Sequence, residues 1–152
     1  MSGADYEAIC VNHVAFSVSR DELDDKGRAR IVEFFSGCLD FAHDTASKNV
    51  RMVHRRPGQD RRAFGSTYVV FIGREKPATG NPGRGGDHFG ISCSTLEQYN
   101  SYLDRTRKYL EKYGILENID ARPEEPGLYG FYVQPFDAPI SIEVQYLDGG
   151  AS

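Results

Sequence analysis

The stretch His13-Val-Ala-Phe-Ser-Val-Ser19 returns as His88-Phe-Gly-Ile-Ser-Cys-Ser94, and this pair decides the fold. Both match one template of His, apolar, small, apolar, Ser, apolar, Ser, with positions 13 and 88 lying 75 residues apart. The same offset predicts the element after each strand. Ser19 with Glu22, and Ser94 with Glu97, have the S-x-x-E spacing of a helix-capping box. Each box opens a helical pattern: Ile31, Val32, Phe34, Phe35 and Leu39 in the first half, and Tyr99, Tyr102, Leu103, Tyr109 and Leu110 in the second. The offset also lays Glu143-Val-Gln-Tyr-Leu147 over Tyr68-Val-Val-Phe-Ile72, two runs rich in β-branched and aromatic residues that read as strands. Turn signals at Arg56-Pro-Gly58, Glu125-Pro-Gly127 and Phe136-Asp-Ala-Pro139 leave room for two more strands in each half. The spacing therefore predicts an α+β fold of two βαβββ modules in one domain over 1–152. Module one spans about 9–75, a Gly- and Pro-rich linker covers 76–86, and module two spans about 87–148.

Composition excludes several classes. The 152 residues carry 18 basic and 22 acidic side chains, a formal charge of −4, and no Trp. A general nucleic-acid binder needs a basic face that this balance does not supply. At 39% hydrophobic content, with 16 Gly and 7 Pro, the chain is neither disordered nor low-complexity. No apolar run approaches the roughly 18 residues of a membrane helix, and the opening Met1-Ser-Gly-Ala-Asp-Tyr lacks the basic and apolar regions of a secretion signal. Three cysteines, Cys10, Cys38 and Cys93, are odd in number and lack CxxC spacing, so a reduced cytoplasmic protein is expected.

Alternation along the strands separates two faces. Val14, Phe16 and Val18 oppose His13, Ala15 and Ser17; Phe89, Ile91 and Cys93 oppose His88, Gly90 and Ser92. The apolar faces suit helix packing, whereas the small, polar faces leave volume above them, as in a strand that lines a cavity. In the closing strand Ile140, Ile142, Val144 and Tyr146 oppose Ser141, Glu143 and Gln145. A carboxylate in mid-strand needs a partner, because an unpaired buried charge costs several kcal/mol. His13, His88 and Glu143 on one concave surface make the ligand set of a facial triad, which leaves positions on a divalent ion for water or substrate.

These residues resemble the vicinal oxygen chelate superfamily, which includes glyoxalase I, methylmalonyl-CoA epimerase, fosfomycin-resistance proteins, extradiol dioxygenases and bleomycin-resistance binding proteins. Asn12-His13-Val-Ala-Phe, Asp87-His88-Phe-Gly-Ile and the Phe131-Tyr-Val-Gln to Ile142-Glu143-Val ending carry the resemblance. It implies βαβββ modules whose mixed sheet curls around a metal cleft, with ligand places at His13, Tyr68, His88 and Glu143. Tyr68 departs from the pattern, since a phenol with an ordinary pKa near 10 is a poor ligand for a divalent ion. The remaining His, His, Glu set is similar to that of extradiol dioxygenases. It implies Fe(II) as the metal, with Zn, Ni, Co or Mn as alternatives, and a dioxygenase-like reaction on a small oxygenated substrate, aromatic or otherwise. The alternatives are a glyoxalase-like lyase or epimerase, and a non-enzymatic drug- or metabolite-binding resistance protein. The resemblance also implies a homodimer.

Ring-cleaving members carry a further acid–base histidine before the closing strand, and no histidine lies between His88 and Glu143. His54 takes that role if its hairpin folds over the site; Tyr68 and Tyr132 are candidates to line the pocket or donate a proton. The tract Arg51-Met-Val-His-Arg-Arg-Pro-Gly-Gln-Asp-Arg-Arg62 would guide an anionic substrate, because guanidinium groups bind carboxylate or phosphate bidentately.

Overall fold

A computed structural model describes residues 12–54, 66–77, 79–122 and 125–148. Module one runs β1 (His13–Ser19), a 3-10 turn (Arg20–Leu23), α1 (Asp25–Leu39), β2 (Ala42–His43), β3 (Val50–His54) and β4 (Thr67–Arg74). Module two runs β5 (His88–Ser92), α2 (Leu96–Lys112), a second 3-10 turn (Leu116–Asn118), β6 (Ile119–Asp120), β7 (Leu128–Val133) and β8 (Ser141–Leu147). Each module forms its own four-stranded mixed sheet, ordered β1-β4-β3-β2 and β5-β8-β7-β6. The first and last strands of each module pair in parallel, and the others pair antiparallel. β1 and β5 both end their sheets as edges.

The helices start later than the serines of the two boxes. Ser19 makes no side-chain cap bond, and Asp24 caps α1 by accepting from the Gly27 N–H at 2.8 Å. The intervening 3-10 turn folds so tightly over the helix start that a Cβ on Gly27 would sit 1.9 Å from the Glu22 carbonyl. In α2 the cap is Thr95, whose hydroxyl accepts from the Gln98 N–H, while the Gln98 amide oxygen accepts from the Ser94 N–H. The cap thus sits one residue further on, with Thr95 and Gln98 in place of Ser94 and Glu97, and the Gln98 side chain reaches past the cap to the Ser94 N–H.

The predicted apolar faces are buried. Phe16, Val18, Ile31, Phe34, Phe35, Leu39, Tyr99, Tyr102, Tyr109, Leu110, Phe131 and Val144 join one core that spans both modules. Phe136, from the β7–β8 loop, wedges into module one, with its ring 5.4 Å from Phe71 and 6.2 Å from Phe34. α1 and α2 are clamped together at the surface by Arg105 with Asp40 and by Lys112 with Glu33. The opposite faces, with His13 and Ala15 in β1 and His88, Gly90 and Ser92 in β5, are exposed. No described helix is long and apolar enough to cross a membrane.

The linker is a built turn rather than slack chain. Asn81 N–H donates to Asp87 Oδ2 at 2.8 Å, Gly83 N–H donates to Ser141 Oγ at 2.7 Å, and Gly83 and Gly85 take positive φ. The arginine tract beyond His54 and Cys10 lie outside the described residues.

Candidate metal centre

Strand register brings the second-module residues together. β5 and β8 pair Gly90 with Glu143 and His88 with Ser141, so His88 and Glu143 are diagonal neighbours on one face. His88 Nε2 lies 3.2 Å from Glu143 Oε2. Across β7, Tyr132 pairs with Glu143, and its hydroxyl donates to Glu143 Oε1 at 3.0 Å. Glu143 is 7% exposed, so its buried oxygens rely on these partners for hydrogen bonds.

The histidine's other nitrogen settles its tautomer. His88 Nδ1 lies 2.9 Å from the Gly86 carbonyl. A carbonyl only accepts, so Nδ1 carries a hydrogen. Nε2 therefore faces a carboxylate oxygen across a gap that only a second proton or a cation can fill. Two donors each about 2.1 Å from one ion stand roughly 3.0 Å apart at an octahedral right angle. The observed 3.2 Å fits that spacing. Gly90 leaves the space beside Glu143 clear, since a Cβ there would approach Oε2 to 3.4 Å. Backbone acceptors that orient a ligating imidazole in this way are the usual partners of metal-bound histidine.

His13 is prepared in the same way but elsewhere. Its Nδ1 lies 2.6 Å from Asn12 Oδ1, an acceptor, so Nδ1 carries the hydrogen and Nε2 is the ring's accepting nitrogen. Its ring stacks on Tyr68 at 4.8 Å with 5° between planes. His13 borders a cavity of about 670 Å³ that Gly90, Ser92, His54, Gln98 and Tyr102 also line. It does not close on the His88–Glu143 pair: among the described residues no group of three His, Cys, Asp or Glu side chains is placed to hold one ion.

Register also corrects the equivalence of Tyr68. The 75-residue offset aligns Tyr68 with Glu143, yet β1 and β4 pair Tyr68 with His13 and Val70 with Ala15. The residue facing Ala15, as Glu143 faces Gly90, is Val70. Module one thus offers an apolar side chain at the fourth ligand place. Tyr68 serves instead as a platform between the His13 ring and the Arg51 guanidinium, which lies 5.0 Å from its centroid. His54 pairs with Thr67, one residue out of phase with Tyr68, so it occupies the other face of its sheet. There its ring packs against Phe41 at 5.2 Å. It is not gathered with His88 and Glu143.

Sequence reasoning missed the supporting shell. The linker turn delivers the Gly86 carbonyl and also Arg84, which binds Asp120 through Nε at 3.0 Å and the Arg122 carbonyl through Nη2 at 2.8 Å. Arg84 lies 4.9 Å from the Tyr132 centroid, a cation over the ring that holds Glu143. Asp120 is held far below the usual carboxylate range, first by its bond to Arg122 and then by Arg84, against an opposing desolvation effect. The one available signal was a polar residue just before each histidine. Asn12 does orient His13, but Asp87 holds the turn while Gly86 orients His88.

No protein-family model and no curated protein matches the chain by sequence. Solved structures do match its shape. The fosfomycin resistance protein FosX from Mesorhizobium loti aligns at 18% identity over 92% of each chain, with a TM-score of 0.52. The lactoylglutathione lyase from Agrobacterium tumefaciens aligns at 12% identity over 96% of this chain and 99% of its own, with a TM-score of 0.57. Identities this low speak to the fold. The chain therefore shares the fold of these two structures, built here from two repeated βαβββ modules.

Proposed function

We propose that the chain is a divalent-metal enzyme acting on a small substrate that presents two adjacent oxygens. The observation that carries this reading is the facing of His88 Nε2 and Glu143 Oε2 at 3.2 Å, with Nδ1 already committed to Gly86. His88 and Glu143 would hold the ion, with His13 as third donor. His13 reaches the pair either when the two sheets draw together across the cavity or when a second copy supplies it. A bound divalent ion supplies Lewis-acid polarisation of the substrate oxygens. Around it, Tyr132 fixes the carboxylate and is the proton-bearing group nearest to it. Arg84 braces the Tyr132 ring. The lyase and fosfomycin-resistance names of the two structural relatives support non-redox chemistry of this kind. So does module two's supply of imidazoles, which is His88 alone.

A second reading, an Fe(II) dioxygenase, is favoured by Val70 at the fourth ligand place, because three protein donors leave more of the ion open. Metal analysis and oxygen uptake of protein purified under nitrogen separate the two. Manganese, zinc, nickel or cobalt without oxygen dependence supports the first, and iron with substrate-dependent oxygen uptake supports the second. Protein that binds no divalent ion refutes both and leaves a small-molecule binding protein. Mixing His13→Ala with His88→Ala chains tests the homodimer: restored metal binding means that His13 acts across copies, whereas none means that it acts within one chain.

A further inference from the structure

A second cavity, of about 640 Å³, lies on the helix side of module two, between α2 and the start of β7. Tyr129 of its lining and Tyr132 of the candidate metal centre are three residues apart on β7, so they occupy opposite faces of the sheet. Leu103 from α2, with Ala121, Pro126 and Leu128, gives the cavity an apolar lining. Tyrosine rings continue along it: Tyr129 lies 6.0 Å from Tyr99 and 5.9 Å from Tyr146. Two groups here have unmet chemistry. Tyr99 is 5% exposed, yet its hydroxyl has no hydrogen-bond partner among the described residues. Burial raises the Tyr99 phenol above its ordinary value, so it stays protonated and neutral. Glu125 at the rim makes no ion pair or side-chain hydrogen bond among the described residues, and no Lys or Arg among them lines the cavity. Arg107, whose charge acts on Tyr99, stands outside the lining. The wall that carries Glu125 is a fixed turn: the Leu128 N–H donates to the Glu125 carbonyl at 3.1 Å, Gly127 takes a φ of 84°, and the Asp148 N–H donates to the Gly127 carbonyl at 2.8 Å.

From this arrangement we propose that the cavity is a separate small-molecule site for an organic cation, an alkylammonium with a compact apolar body and a hydroxyl. The Tyr129 ring takes the charge, Glu125 is its counter-ion, and the Tyr99 hydroxyl bonds the ligand's own hydroxyl. An aromatic face attracts a cation through its quadrupole, and Tyr129, at 40% exposed, has ring surface to offer. A carboxylate with no cation opposite it draws positive ligands to the rim and turns anions away. The apolar lining then covers the ligand's hydrocarbon part, as in most small-molecule sites. The inference is independent of the metal reading, because neither His88, Glu143 nor Tyr132 lines this cavity.

The test titrates the full-length chain with choline and with 3,3-dimethylbutan-1-ol, its uncharged isostere with carbon in place of nitrogen, followed by ligand-observed magnetic resonance. Wild type is expected to bind choline about tenfold more tightly than the alcohol. Tyr129→Leu should weaken choline about tenfold, by removing the ring that faces the charge. Glu125→Lys should weaken it at least as much; the turn survives, because Glu125 serves the turn through its carbonyl. Tyr99→Phe, which removes the hydroxyl alone, should weaken choline roughly threefold. Tyr129 and Glu125 are both exposed, so circular dichroism of these two variants should match wild type. His88→Ala, on the other face of the sheet, should bind choline as wild type does. Wild-type protein that prefers choline by less than twofold overturns the inference. So do Tyr129→Leu and Glu125→Lys variants that both bind choline within twofold of wild type. A His88→Ala variant that loses choline as far as Tyr129→Leu does also overturns it, by placing the binding at the candidate metal centre.

Discussion

Replacing Tyr132 by Phe removes one oxygen atom and isolates the function of the carboxylate's second partner. The hydroxyl donates to Glu143 Oε1 at 3.0 Å, and Glu143 is 7% exposed, so water cannot readily replace the lost bond. Hydrogen bonds to charged groups are worth about 1.5–3 kcal/mol, and an orphaned buried acceptor carries its desolvation cost as well. The metal-free protein should therefore lose about 1.5–3 kcal/mol of stability. For a chain of this length that is a fall of roughly 3–12 °C in melting temperature. The phenyl ring keeps its place under Arg84, so packing is retained. Outer partners of metal ligands typically contribute about 10–100-fold to metal affinity, and Mn(II) binding should fall by that factor. Thermal denaturation with and without Mn(II), together with calorimetric titration, measures both effects. A Tyr132→Phe protein as stable as wild type, with unchanged Mn(II) affinity, would refute the idea that Tyr132 holds the carboxylate in place.

Two other substitutions probe the frame that carries the site. Phe136→Ala should cost about 3–5 kcal/mol, because it empties the wedge between Phe34, Phe35 and Phe71; a loss below about 1 kcal/mol in urea unfolding would show that the modules do not depend on it. Arg105→Ala removes one of the two ion pairs that clamp α1 to α2, in which the two side chains are 32% and 55% exposed, and should cost no more than about 1 kcal/mol. Its pH dependence has a definite sign. The bond from Arg105 lowers the Asp40 carboxyl, so the clamp's contribution is complete above the unfolded value of about 3.9 and disappears as pH falls through the lower folded value. Wild type and variant should thus converge in stability at acid pH, and a gap that persists there points to lost packing of Arg105 over Tyr102 instead.

Strand, helix and face could be read from sequence because they depend on local periodicity. The alternation around His13 and His88 placed Phe16 and Val18 on the buried side and Ala15 and Gly90 on the open one, where the structure has them. Helix starts were less legible: capping depends on whichever hydroxyl or carboxylate the turn presents, and Asp24 and Thr95 displaced the two serines. The diagonal meeting of His88 with Glu143 came from a repeat offset plus alternation, two pieces of one-dimensional information.

Tertiary structure alone decided the rest. A repeat offset aligns sequence but not hydrogen-bond register, and a two-residue difference in pairing moved Val70 into the place that the offset assigned to Tyr68. The phase of β3 set His54 against Phe41, both on the lining of the cavity that His13 borders. The Gly86 carbonyl and the Arg84 guanidinium reached the site because a glycine-rich turn folds back on Ser141, and backbone acceptors carry no signature in the side-chain sequence. Residue types and their spacing name which groups share a face; which atoms touch depends on register and turn geometry, set by packing between segments far apart in the chain.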